Sequence, residues 1–126
     1  MSESFLEHAN ITVANPARSA AMLEQIFGWK TRWTGAAKDG GVSYHVGGAD
    51  SYVALYSRGG TQRIANTSAT IGALNHLGVV VDDLDAVEAR VKAFGLTPIN
   101  HADYEPGRRF YFLDHDGTEI EVVSYS

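Results

Sequence analysis

The chain has 126 residues, 20% of them charged and 44% hydrophobic, with a formal net charge of −5. This is the composition of a globular domain with a real core. The negative balance, with Arg108-Arg109 as its one adjacent basic pair, excludes non-specific nucleic-acid binding. The absence of cysteine excludes disulfides, thiolate metal ligands and a cysteine nucleophile. With no basic-then-apolar leader and no apolar run long enough to span a bilayer, the expected address is the cytoplasm, with no membrane partner.

Phe5 to Val13 reads as a strand, with β-branched Ile11, Thr12 and Val13 near its end. Asn15-Pro16 then predicts a helix start, Asn15 as cap and Pro16 in the first turn, where its missing N–H has no partner to lose. Met22, Leu23, Ile26 and Phe27 form the apolar stripe of that helix, and Gly28 stops it. Trp29 to Thr34, Val42 to Val46 and Tyr52 to Tyr56 are the next strands, punctuated by Gly40-Gly41 and Gly47-Gly48. Ser57 to Ala73, rich in Gly, Ser, Thr and Asn, reads as a connection.

The same order then returns. Leu74 to Val81 predicts a strand. Asp82-Asp83 caps a helix with its stripe on Leu84, Val87, Val91 and Phe94, and Gly95 ends it. Thr97 to His101, Arg109 to Leu113 and Thr118 to Ser124 complete the set, with Asp114 to Gly117 as the last turn.

This is a duplication of one βαβββ unit. Leu6 to Val13 lies over Leu74 to Val81 at an offset of 68, from His8 to His76. Phe27-Gly28 lies over Phe94-Gly95, and Tyr52 to Tyr56 over Glu119 to Val123, both at an offset of 67. Because strand residues alternate faces, matched positions point the same way in each copy. Two copies related by a pseudo-twofold place positions 8, 54, 76 and 121 around one cleft. They hold His8, Ala54, His76 and Glu121. Two imidazoles and a carboxylate make a facial set with open coordination positions, suited to Fe(II), Mn(II), Zn(II) or Ni(II). The bland alternative is a pair of unrelated strand histidines beside a solvated glutamate.

Four further residues stand out, the first three of them read two ways. Tyr56 is an oxyanion donor or a packed sheet aromatic. His45 is a general acid or base or a half-exposed strand residue. Arg109 is an anion anchor for substrate or half of a solvated pair with Arg108. His101 precedes a loop, Ala102 to Arg108, that is expected to cover the cleft and bring His101 to substrate.

With these residues in hand, the chain resembles the vicinal oxygen chelate superfamily of glyoxalases, bleomycin- and fosfomycin-resistance proteins and extradiol dioxygenases. The resemblance spans essentially the whole chain. It is carried by Leu6-Glu7-His8-Ala9-Asn10-Ile11-Thr12-Val13, by Leu74-Asn75-His76-Leu77-Gly78-Val79-Val80-Val81, and by the run from Phe110 to Glu121. His115 stands where the family commonly has proline. The resemblance implies His8, His76 and Glu121 as metal ligands, with Glu119 turned outward. It also implies that Ala54 replaces the glutamate that serves glyoxalase I as fourth ligand and base.

The resulting expectation is an α+β fold: two βαβββ modules forming an open eight-stranded curved mixed sheet with helices outside, in a single domain. Module one covers about residues 4–57, the connection 58–73 and module two 74–125. The expected protein is a homodimer and a divalent-metal-dependent enzyme. It acts on a small molecule through bidentate vicinal oxygens, lyase or isomerase first and dioxygenase second. The competing expectation is a ligand- or drug-sequestering protein resembling bleomycin-resistance proteins, for which the net charge of −5 suits a basic drug.

Overall fold

The computed structural model describes residues 2–60 and 62–126. The chain divides into two compact units, Met1–Thr61 and Gln62–Ser126. Each unit is one βαβββ module with its own four-stranded mixed sheet, so the fold is α+β.

In the first unit β1 is His8–Thr12, α1 Pro16–Phe27, β2 Lys30–Ala36, β3 Val42–Gly47 and β4 Tyr52–Ser57. The sheet order is β1-β4-β3-β2, with β1 and β4 parallel and the other neighbours antiparallel. In the second unit β5 is Leu77–Val80, α2 Leu84–Ala93, β6 Ile99–Tyr104, β7 Gly107–Leu113 and β8 Glu119–Ser124. Its order, β5-β8-β7-β6, repeats the first. A short 3-10 turn at Lys38–Gly40, which carries no periodic signal, precedes β3.

The helix signals act as read. The Asn15 side chain accepts from the Arg18 N–H, Pro16 opens α1, and Gly28 leaves the helix at φ 72° with its N–H on the Glu24 carbonyl. Positive φ costs glycine nothing, which is why the stop falls there. Asp83 caps α2 through the Ala86 N–H. Gly95 (φ 92°) donates to the Lys92 carbonyl and Leu96 to that of Val91. Both helices lay their apolar stripes on one face of their own sheet. Met22, Leu23 and Ile26 are buried under α1, and Leu84, Val87 and Val91 under α2.

That arrangement leaves each sheet with two chemically different faces. In the second unit Phe110, Phe112, Ile120 and Val122 are all but fully buried. They alternate with Arg109, Tyr111, Glu119 and Glu121, which point the other way. The antiparallel register sets Tyr111 opposite Glu121, and the parallel register sets Gly78 opposite Glu121. In the first unit the corresponding Cα partners are His45 and Asn10, both opposite Ala54. The two copies therefore share one register around positions 54 and 121.

Two expectations change. Ala102 to Arg108 is not a loop: Ala102 pairs with Arg109, Asp103 with Arg108 and Tyr104 with Gly107, a tight hairpin. Its register shifts between Ile99 and Ala102, where Asn100 takes φ 54°. The extra residue is a β-bulge, and it reverses the alternation that would have placed His101 beside Ile99.

Candidate metal centre

The polar face of the second unit gathers charge. Glu121 is the hub. Its Oε1 lies 3.1 Å from His76 Nε2, and its Oε2 accepts from Arg109 Nη1 at 2.9 Å. The His76 ring is anchored at its other nitrogen: Nδ1 lies 2.8 Å from Asn75 Oδ1. An amide oxygen can only accept, so Nδ1 carries the proton. Nε2 then faces a carboxylate oxygen, and the gap between those two atoms calls for a cation, either a proton or a metal ion.

His8 in the first unit is held alike, with Nδ1 2.9 Å from Glu7 Oε1. In both copies the side chain of the residue before the histidine holds Nδ1 and leaves Nε2 out of that contact. Among the described residues no three histidine or carboxylate side chains are gathered into a metal-holding group. The pair drawn together within one unit is His76 and Glu121.

Of two neighbours of this pair, Glu119 was expected to turn outward and Tyr111 was not singled out by the sequence. Glu119 does not turn outward. It stands two residues from Glu121 on the same face, with Oε2 3.9 Å from His76 Nδ1. Tyr111 sets its ring at 85° to that of His76, centroids 5.9 Å apart. Burial first, then the Glu121 and Tyr104 charges, push its hydroxyl above the usual phenol range despite the opposing Arg109, so it remains a donor. For Glu119 the signal was present, since it lies two residues from Glu121 on one strand; for Tyr111 it was not, because five residues, 114–118, separate Leu113 from its partner Glu119 and so set Tyr111 opposite Glu121.

In the first unit the equivalent face is aromatic. His8 stacks on Tyr52 (4.8 Å), Tyr52 on His45 (4.6 Å), and His45 leans on Trp33 (4.8 Å). Arg32 lies over the Tyr52 ring. Burial is the main cause holding His45 below the ordinary imidazole value, followed by the His8 and Arg32 charges, with Glu7 opposing. Tyr56 donates its hydroxyl to the Lys38 carbonyl at 2.6 Å, and its ring lies where a side chain on Gly41 would sit. His101 faces α2: Nε2 lies 3.1 Å from Glu88 Oε1 and the ring stacks on Phe110. Beside it, Leu84, Ala102, Asp103 and Arg108 help line a shallow groove of about 220 Å³.

A family model described as the Glyoxalase/Bleomycin resistance protein/Dioxygenase superfamily matches residues 5–122. The chain belongs to that superfamily. Solved structures agree on the fold. A glyoxylase/bleomycin resistance protein/dioxygenase domain from Frankia sp. EAN1pec is 23% identical, with a TM-score of 0.83 and 98% of each chain covered. A glyoxalase family protein from Enterococcus faecalis is 15% identical, with a TM-score of 0.79, covering 94% of this chain and 96% of that one. A glutamate-to-glutamine variant of the fosfomycin resistance protein FosX from Listeria monocytogenes, solved with Mn(II) and 1S,2S-dihydroxypropylphosphonic acid, is 20% identical. Its TM-score is 0.73, with 97% of this chain and 93% of that one covered. No protein of curated function matched in a sequence comparison. No helix among the described residues is long and apolar enough to cross a membrane.

Proposed function

We propose that this superfamily member is a divalent-metal-dependent enzyme that holds a small substrate by two neighbouring oxygens. The observation that carries the reading is the His76 Nε2 to Glu121 Oε1 approach of 3.1 Å, with Nδ1 tied to Asn75. It is the donor set and ring orientation of a metal ligand pair with its outer hydrogen bond in place. His8 is the proposed third ligand, because it occupies the repeat position of His76 and its ring is oriented by the same device. The Mn(II) in the FosX relative is in keeping with a hard, mixed nitrogen and oxygen set.

A divalent ion on such ligands supplies Lewis acidity to two substrate oxygens. The chain's own residues do the rest. Glu121 is kept in one rotamer by Arg109. Tyr111, a retained donor on the same face, hydrogen-bonds a developing oxyanion. Ala54 offers no carboxylate, but His45 is its Cα partner on β3, and a histidine held in its neutral form is fitted to accept a proton. The proposed chemistry is therefore of the lyase or isomerase type, with a histidine as base. Assembly as a cytoplasmic homodimer belongs to the same proposal.

Metal titration of the purified protein with Mn(II), Fe(II), Zn(II) and Ni(II) tests this reading. One ion per chain is expected, with His76→Ala and Glu121→Gln each weakening binding about 100-fold. Wild type that takes up none of these ions overturns the enzyme reading and leaves a sequestering protein. Oxygen consumption by the Fe(II) form on a catechol would replace the lyase or isomerase reading with a dioxygenase.

A further inference from the structure

Arg109 projects from β7 onto the face that carries Glu121, Tyr111 and His76, and only 12% of its side chain is exposed. Among the described residues its guanidinium makes one hydrogen bond, from Nη1 to Glu121 Oε2 at 2.9 Å. Nε and Nη2 are buried, and among the described residues neither finds an acceptor. The Tyr104 ring lies 5.1 Å from the guanidinium carbon and covers one of its faces.

The identity of the two unpartnered nitrogens matters. Nε and Nη2 form the side-on edge of the guanidinium, two parallel N–H groups whose spacing matches the two oxygens of a carboxylate. Glu121 does not use that edge. It engages Nη1 alone and keeps Oε1 for His76. Two buried donors without partners are costly in a folded protein, and the cost is removed when a ligand brings the acceptors. Copy one has no such feature: Ser43, the partner of Tyr56, stands where copy two has Arg109, the partner of Val123. The arginine is therefore a local addition to one copy and not a requirement of the repeated sheet.

We infer that Arg109 is a specificity residue whose Nε–Nη2 edge binds a substrate carboxylate, so that the substrate is a small acid bearing two vicinal oxygens. The inference rests on the metal-chelating reading for those oxygens, but the carboxylate subsite is made by this chain alone. Charge favours it as well. When Glu121 is committed to a cation, its neutralisation of Arg109 weakens, and an anionic substrate restores the balance.

The test uses the full chain with and without Mn(II) and three probes that share vicinal hydroxyls: catechol, protocatechuate and 2,3-dihydroxybenzoate. Affinities are read by calorimetry, and Mn(II) occupancy separately by its paramagnetic resonance signal. At least one of the two acids is expected to bind about tenfold or more tightly than catechol, the advantage of a charge-assisted bidentate contact. Arg109→Gln and Arg109→Lys should both reduce that preference, taken as the ratio of acid to catechol affinity in the same variant, to within about twofold, because lysine has the charge but not the fork. Wild type that binds Mn(II) yet shows no preference for either acid overturns the carboxylate subsite and leaves the metal reading standing. An Arg109-dependent preference in protein that binds none of Mn(II), Fe(II), Zn(II) and Ni(II) sustains the subsite and overturns the metal reading. A preference that survives in Arg109→Lys overturns the bidentate edge as its source. The wild-type comparison decides the matter even if a variant fails to fold.

Discussion

His8 and His76 are oriented in the same way: Nδ1 of each lies against a side-chain oxygen of the residue before it, Glu7 at 2.9 Å and Asn75 at 2.8 Å. The two contacts sit in separate units and use different residue types, a carboxylate and an amide. What has been kept is the acceptor, and with it the direction in which Nε2 points. Asn75→Ala should therefore weaken Mn(II) binding about tenfold although no ligand is removed, since outer-sphere partners contribute on that scale. Asn75→Asp, which retains the acceptor, should restore it. A titration in which Asn75→Ala binds as wild type does would show that the ring is held by something else.

The ion pair between Arg109 and Glu121 is matched in copy one by Ser43 and Ala54, so both partners differ together. With 12% and 13% of the two side chains exposed, this pair is largely desolvated. Glu121→Ala strands a buried guanidinium and should cost roughly 3 kcal/mol in denaturant unfolding. Adding Arg109→Ser, which copies the first module, should recover about 1–2 kcal/mol of that loss. Strict additivity of the two substitutions would mean that the pair is not coupled.

His45 is held below its ordinary value, chiefly by burial and then by the His8 and Arg32 charges, so the folded state binds fewer protons than the unfolded state just below the unfolded value. The stability associated with the neutral ring is fully present above about pH 6.5 and is lost as pH falls from there toward the folded value. His45→Phe keeps a ring in the stack between Tyr52 and Trp33 and should remove that part of the pH dependence. Resonances of His45 followed by NMR should titrate below pH 6.5 in the wild-type protein. A midpoint at or above that value contradicts the assigned environment.

Gly47 ends β3 where it pairs with Tyr52, and a Cβ there would run into the Ser51 backbone carbonyl. Backbone cannot swing aside as a side chain can. Gly47→Ala should destabilise the first unit by about 1–3 kcal/mol, the usual cost of overpacking. Thermal unfolding reads the effect. Gly48→Ala next door meets nothing within 4 Å and should be nearly silent by comparison.

The caps, stops and stripes of both helices were legible because they are local: Asn15-Pro16 and Gly28, or Asp83 and Gly95, act on their nearest chain neighbours. The repeat was legible because alternation along a strand is a property of the backbone, and it identified positions 54 and 121 as equivalent before any pairing was known. The tertiary structure decided what local rules cannot. A single extra residue at Asn100 moved His101 from the expected face to the helix side. The tight hairpin of β6 and β7 turned an anticipated covering loop into strands. The pairing of β7 with β8 brought Arg109 against Glu121, twelve residues away in the chain. Strand register and the burial of a charge are set by cross-strand partners, and no window of neighbouring residues contains them. The sequence alone could therefore nominate His8, His76 and Glu121 as ligands, while the unsatisfied edge of Arg109 emerged only when the strands were laid side by side.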